Sequence, residues 1–347
     1  MRCHGATARQ SKGCIESRHS RQRGPHDQRL WGQMMRIADI GAGVFGSLFA
    51  ARLAAVGQTV ALVARGGRLT QLQRGPIVFL NEDDGVRAAA TVEVVEHLDP
   101  EADYDLALVV VRADQIDALI PDLSGNRGVK TFLCMHNRAA GSSALARSVG
   151  PDRVLLGFSG GGGWLDGATV RYRLIPEQLT TLGEPDGSLS PRMQQVEKIL
   201  EEAGFPVALS RRTDDWLKTH AMLVTAIAGA IYLGHGSTAE VARSPDNIRV
   251  LVHGIRQGFG LLSVAGVVIA PRRLRFLVGL PSLLAQLYLR RILARPASEL
   301  IMARHANAVP GEMSALVEEL RAIIRLNPGD APGLQTLWAA VAVAANR

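Results

Sequence analysis

Met35-Arg-Ile-Ala-Asp-Ile-Gly41-Ala-Gly43-Val-Phe-Gly46 is where patterned sequence begins in this 347-residue chain. Arg36–Ile40 reads as a short buried strand. Val44–Val56 reads as a helix, with Phe45, Leu48, Phe49, Leu53 and Val56 at helical spacing, and Thr59–Ala64 is a second β-rich run. The G-x-G-x-x-G at the strand–helix junction has the form of a dinucleotide fingerprint. Gly41 allows the tight turn, Gly43 lets backbone approach a pyrophosphate, and Gly46 lets helix pack on strand. Loop residues Gly41, Ala42, Gly43, Val44, Phe45 and Gly46 then offer free N–H groups and a helix dipole to phosphate charge. A glycine-rich turn with no ligand is the alternative, and the surrounding strand–helix–strand unit argues against it.

The end of the second strand bears on which dinucleotide binds. An acid there would take the ribose 2′-hydroxyl of NAD, but the sequence reads Leu62-Val-Ala-Arg65-Gly-Gly-Arg68. Guanidinium groups suit a 2′-phosphate, so the expected cofactor is NADPH/NADP+. Arg65 follows the strand directly and is the better candidate of the two; either arginine could instead be simply solvated.

Further along, Arg68–Gln73 looks helical, and Pro76–Asn81 and Thr91–Val95 look like added strands. Asp105–Val111 is an unbroken apolar run, as a central parallel strand should be. Gln115–Leu119 and Ser142–Ser148 read as helices, Val129–Met135 and Val154–Phe158 as strands. Thr169–Arg173 and Leu179–Leu182 alternate and could form a hairpin. Met193–Glu202 is an amphipathic helix, and Pro206–Leu209 a closing strand. From Thr213 strand signals stop: Thr213–Leu233, Pro245–Val264, Arg273–Leu293, Ser298–Ala306, Glu312–Leu326 and Pro332–Ala345 all read as helices. The expected fold is α/β, with a Rossmann-type dinucleotide-binding domain over residues 35–210 and an all-helical substrate domain over 211–347.

Composition narrows the function classes. The net charge is +7, but residues 1–34 hold seven basic residues against two acids, so the body is nearly neutral. Specific nucleic-acid binding is not expected; the tail would give non-specific attraction at most. Residues 1–34 read as a basic, disordered extension, or as sequence upstream of a true start at Met35. They lack the apolar core of a secretory signal, and Glu16 and Asp27 argue against a transit peptide. Three cysteines, Cys3, Cys14 and Cys134, imply no disulfide framework, and a cytoplasmic location is expected. Apolar runs fall short of the roughly 18 residues a membrane span needs. No residue spacing resembles a metal ligand set, and no G-x-S-x-G elbow points to a hydrolase.

Four stretches together are similar to the ketopantoate reductase (2-dehydropantoate 2-reductase) family. They are Met-Arg-Ile-x-x-Ile-Gly-Ala-Gly from Met35, Leu62-Val-Ala-Arg-Gly, Cys134-Met-His136-Asn137 and Asp214-Asp-Trp216-Leu-Lys218. The resemblance runs from Met35 to about Tyr232, and more loosely to Glu312. It implies a Rossmann domain followed by a helical domain, NADPH-dependent reduction of a 2-oxo acid in the cleft between them, and a setting in pantothenate biosynthesis. It places the family's catalytic lysine at Lys218 and its strand-end asparagine at Asn137. The family's late, substrate-binding glutamate falls on Glu312, with Ser298 the nearest counterpart of the serine upstream of it. Arg112 stands where the family usually has a lysine, facing the cofactor or an acidic substrate.

The residues themselves leave alternatives. Asp214 and Asp215 suit the positive end of a helix capped at Thr213, and the apolar helix beyond would bury Lys218 and make it a better proton donor. An ordinary i,i+4 pair of Asp214 with Lys218 is the competing reading. Asn137 could orient cofactor or substrate or be a turn residue, and His136 could be a buried structural imidazole. Arg112, Arg138 or another cleft arginine could hold a substrate carboxylate. Gly160–Gly163 could be a mobile segment near the nicotinamide or only a flexible turn.

The sequence departs from the family in its substrate half. The glycine expected after Asn137 is Arg138, and the asparagines expected four and eight residues after the lysine are Met222 and Ala226. A reductase with a different, less polar substrate follows. A non-catalytic NADP(H)-binding regulatory protein, or a dehydrogenase working in the oxidative direction, are the other readings. The apolar helices after Thr213 are candidates for packing across a homodimer interface.

Overall fold

The computed structural model describes residues 34–176, 178–325 and 330–347. The basic extension expected at the N-terminus lies, but for Met34, outside the described residues. Short apolar segments build the sheet: β1 (Arg36–Ile40), β2 (Thr59–Val63), β5 (Glu93–Val95), β6 (Leu106–Val109), β7 (Phe132–Cys134), β8 (Val154–Phe158), β11 (Thr180–Gly183) and β12 (Val207–Leu209). Their order is β12-β11-β8-β7-β6-β1-β2-β5, and only the β8–β11 pairing is antiparallel. Central strands are buried on both faces, so Ile37, Leu62, Leu106, Leu108 and Leu133 have no exposed surface. Helices α1 (Val44–Ala55), α2 (Gly66–Leu72), α3 (Ile116–Gly125), α4 (Ser143–Val149) and α5 (Pro191–Glu202) alternate with the strands.

A second sheet is set into this domain. β3 (Ile77–Asn81), β4 (Arg87–Ala90), β9 (Gly161–Asp166) and β10 (Thr169–Leu174) lie in the order β4-β3-β10-β9. The expected hairpin of Thr169–Arg173 with Leu179–Leu182 does not form. β10 turns back at Gly167 to pair with β9, while β11 joins the large sheet. Gly160–Gly163 is therefore not a turn; most of it is strand β9.

Beyond β12 the described chain is helical: α6 (Thr213–Leu233), α7 (Thr238–Arg243), α8 (Pro245–Val264), α9 (Arg273–Gly279), α10 (Ser282–Leu293), a turn α11 (Pro296–Ser298), a π-helical segment (Glu299–Ala303), α12 (Arg304–Ala308), α13 (Pro310–Ile324) and α14 (Pro332–Ala345). One helix expected over Arg273–Leu293 is two, because Pro281 pushes Leu280 into an extended conformation. By length and apolarity α6 would pass for a membrane span, contrary to the estimate from apolar runs. Here it is the core of the helical layer, packed on α8, α13 and α14, and Trp338 donates its indole N–H to Thr225 Oγ1 at 3.2 Å.

Candidate active site

The carboxyl ends of the parallel strands converge on a cleft of about 920 Å3, where open α/β sheets bind ligands. β1 delivers the glycine loop to it. Gly41 has φ +119°, and a Cβ there would sit 2.3 Å from the Val110 carbonyl oxygen. A Cβ on Gly46 would lie 1.9 Å from the Gly41 carbonyl oxygen. Gly43 differs, because a Cβ there would meet nothing within 4 Å. Its absence is thus not a packing requirement of the protein alone, as expected where a ligand comes close. Gly43 caps α1 with no side-chain hydrogen bond, and the first turn holds no acidic residue. The first amides of α1 keep their capacity for an anion. Ala42 and Val44 line the cleft. Phe45 instead turns beneath β9, where a Cβ on Gly161 would lie 2.9 Å from its ring.

The two arginines after β2 do different things. Arg68 folds onto the loop: Nε donates to the Ala42 carbonyl oxygen at 3.0 Å, Nη2 to Ser47 Oγ at 3.0 Å and Nη1 to Gln71 Oε1 at 2.5 Å. Burial lowers its pKa. Arg65 reaches across the cleft to Asp122, with Nη2–Oδ2 at 2.7 Å and both side chains more than half exposed. Asp122 is an acid the sequence reading missed, since it lies on α3, 57 residues from Arg65. Beneath the loop is Asp39, fully buried, with neither carboxyl oxygen hydrogen-bonded. Burial holds its pKa well above the ordinary 3.8.

At the next strand ends, Arg112 lines the cleft and forks onto Asp114 at 3.0 and 3.1 Å. Glu312, in the first turn of α13, is 7% exposed. Burial, reinforced by Asp114 and opposed by Arg112, raises its pKa to about 7. Asn137 and His136 follow β7; Asn137 Oδ1 and His136 Nδ1 are both buried without a partner. Burial and the nearby Arg138 charge lower the His136 pKa to about 4, so it is a neutral ring. Lys218 sits one turn into α6 with its ammonium on the Asp214 carboxylate, and its side chain is 19% exposed. The structure thus shows the i,i+4 pair with Asp214, and Lys218 is not among the residues that line the cleft.

Two expected site residues are structural. Arg138 is no free cleft arginine. It donates to both Asp117 oxygens at 2.9 and 3.2 Å and to Glu319 Oε1 at 2.9 Å. Glu319 in turn accepts the Ala140 N–H, so the pair ties the loop after β7 to α13. Ser298 is buried and donates to the Ile292 carbonyl oxygen at 2.7 Å, leaving its hydroxyl hydrogen committed to the helix turn. Met222 and Ala226 have no exposed surface and belong to the helical core. Among the described residues no group of three or more His, Cys, Asp or Glu could hold a metal ion.

Residues 37–187 match the family model described as "Ketopantoate reductase PanE/ApbA". Over these residues the chain is similar to the ketopantoate reductase family. Among its relatives, the 2-dehydropantoate 2-reductase of Mesorhizobium japonicum is 25% identical over 224 residues, spanning 56% of this chain and 68% of the relative. That of Archaeoglobus fulgidus is 28% identical over 215 residues, spanning 61% and 69%. The fold agrees over more of the chain. A PanE/ApbA family ketopantoate reductase from Ralstonia eutropha superposes with TM-score 0.68 at 16% identity, covering 90% of this chain and 99% of the other. A D-mandelate dehydrogenase bound to NADH and anilino(oxo)acetate gives 0.69 at 15%, covering 90% and 98%. At such identities the likeness is one of fold alone. The family is one of oxidoreductases, and a nicotinamide dinucleotide is its cofactor.

Proposed function

We propose that the protein is an NADPH-dependent reductase of a 2-oxo acid less polar than ketopantoate, with Lys218 as proton donor. The observation that carries this reading is the uncapped, acid-free start of α1 above the open face of Gly43, with Arg65 at its ribose end. Gly41 through Phe45 would hold the pyrophosphate, Arg68 keeps the loop in shape, and Arg65 would exchange Asp122 for a 2′-phosphate. Arg112 and Asn137, at neighbouring strand ends, would take the nicotinamide end. The bound cofactor supplies a hydride to the carbonyl carbon.

The chain's own residues handle charge and the proton. Lys218 gives a proton to the alkoxide oxygen as it forms and stabilises the charge until then. Asp214 fixes the ammonium at the mouth of α6. Arg112 engages a substrate carboxylate: its pair with Asp114 is half exposed, worth at most about 1 kcal/mol, and exchangeable. Met222 and Ala226 lie in the helical core, so the less polar substrate rests only on the missing asparagines that the family resemblance expects at those positions.

The test is fluorescence titration with NADPH and NADH, followed by a screen of 2-oxo acids with ketopantoate as reference. Lys218→Ala should lower kcat by two to four orders of magnitude, the usual range for a lost general acid, with NADPH affinity unchanged. Near-wild-type turnover in that variant would remove Lys218 from the mechanism. Tight NADPH binding with no turnover of any carbonyl would leave the non-catalytic regulatory reading.

A further inference from the structure

One helix of the helical layer is apolar on two opposite sides. α10 buries Ala285, Leu289 and Leu293, at the spacing of one helical stripe, where it packs on α7 and α8. Its outer side carries Leu283, Leu284, Leu287 and Tyr288 at the same spacing, each at least 50% exposed. A helix apolar on both sides is ordinarily buried on both. α9, joined to α10 through Leu280 and Pro281, leaves Phe276 75% exposed. Single exposed apolar residues are normal, but these large side chains come together within one turn of chain and one short helix.

The charge around this face is of one sign. Between Asp246 and Glu299 the chain has eight arginines and no acidic residue. Arg272, Arg273 and Arg275 stand at the start of α9, and Arg290, Arg291 and Arg295 in and after the last turn of α10. Among the described residues Arg272, Arg290, Arg291 and Arg295 have no ion-pair partner. The acids of neighbouring elements are already engaged. Glu240 of α7 pairs with Arg243, Asp246 of α8 pairs with Arg249, and Glu299 accepts hydrogen bonds from Thr238 and Ala239. By helical geometry Arg291 falls one turn beyond Leu287 and two beyond Leu284, inside the outer stripe. Its aliphatic stem lies along apolar surface while the guanidinium stays at the edge.

We propose that α10, with the start of α9, is a docking face for a lipid bilayer that carries anionic headgroups. At 12 residues α10 is too short to cross a bilayer, and it would lie along the surface instead. Leu283, Leu284 and Leu287 enter the acyl boundary, Tyr288 at the margin of the stripe sits at headgroup level, and the arginines at both ends meet phosphate. The charge distribution selects this occupant. A second copy docked about a two-fold axis would set these arginines against their own equivalents, with no acid on either side to answer them. An acidic protein would be fixed by hydrogen bonds within the patch, where Tyr288 is the one polar residue of the outer stripe ahead of Arg290.

Vesicle flotation with the full chain tests the proposal. The wild type should float with vesicles of phosphatidylcholine and phosphatidylglycerol in equal parts, and not with phosphatidylcholine alone. Residues 1–34, with seven basic residues against two acids, attract any anionic surface by themselves, so variants in α10 carry the decision. Leu283→Ser with Leu287→Ser should lower the partition coefficient by about tenfold or more, as expected for two lost apolar anchors. Arg290→Gln with Arg291→Gln should lower it by about tenfold on the anionic vesicles. Both pairs are exposed, so melting temperatures should match the wild type. Failure of the wild type to float, or equal flotation of the wild type and the leucine pair, overturns the proposal. A dimer in sedimentation velocity that the leucine pair splits would give the face to a second copy and overturn it too. So would binding to polyglutamate that the leucine pair weakens as much as it weakens flotation, which would give the face to an acidic protein.

Discussion

On the proposed NADPH reading, replacing Arg65 by alanine should leave a protein that scarcely distinguishes NADPH from NADH. In the free protein Arg65 is held by Asp122 at 2.7 Å, with side chains 51% and 59% exposed. A pair so exposed contributes about 0.2–1 kcal/mol. A charge-assisted contact to a 2′-phosphate is worth about 1.5–3 kcal/mol. Exchanging one for the other nets roughly 1–2 kcal/mol, or about 5- to 30-fold in affinity. Arg65→Ala should therefore weaken NADPH by that factor and leave NADH within about twofold. Arg68→Ala should act differently, because Arg68 is bound to Ala42, Ser47 and Gln71. It should loosen the glycine loop and weaken both cofactors alike. Asp122→Asn, which releases Arg65, should tighten NADPH a few-fold. Dissociation constants from fluorescence titration at low ionic strength, where screening is least, give all six comparisons. Equal losses for NADPH and NADH in Arg65→Ala, or weaker NADPH binding in Asp122→Asn, would refute the reasoning.

Three further outcomes are expected. Asp39→Asn should raise the melting temperature at pH 7: burial lifts the native Asp39 pKa above 3.8, so stability is full below that pH and lost as pH rises through the native value. The gain should vanish near pH 4, and a pH-independent gap would mean that Asp39 has a partner. Glu312, raised from 4.5 to about 7, costs stability across the same direction of pH. Glu312→Gln should be more stable than wild type by about 2–3 kcal/mol at pH 8 and no more stable at pH 4, read by denaturant unfolding. Gly43→Ala should melt like wild type, since its methyl meets open space, yet bind NADPH at least tenfold more weakly; Gly46→Ala, whose methyl would strike Gly41, should be destabilised in the absence of cofactor.

What could be read from the sequence was what is local or strongly periodic. The glycine loop, its two flanking strands and the long helices α6, α8 and α14 fall where spacing put them. The small sheet was partly hidden because β9 begins with three glycines and β4 is mostly alanine, so neither shows an alternating pattern. Without β9 in view, Thr169–Leu174 had no visible partner but Leu179–Leu182. Site residues were legible when a motif fixed their place on a strand end, as for Arg112 and Asn137. Arg138 drew attention as a spare cation; its partners lie 21 and 181 residues away, and no spacing reveals them. Trp216 was visible as part of the Trp-x-Lys stretch and His220 only as one position of a helical face, and only the fold sets them against Phe158.

The glycines of β9 have one more consequence. A Cβ on Gly161 would strike Phe45, one on Gly163 would strike Val44, and one on Gly162 would strike Ile301 of the π-helical segment, all within 3 Å. The start of α1 and the helical layer thus lean on opposite sides of a strand thinned to bare main chain. No side chain there can repack to absorb a displacement. A shift of Ile301 is handed through a single backbone thickness to the residues that open the phosphate loop, so the helical half acts as a fixed stop against which the depth of the cofactor bed is set.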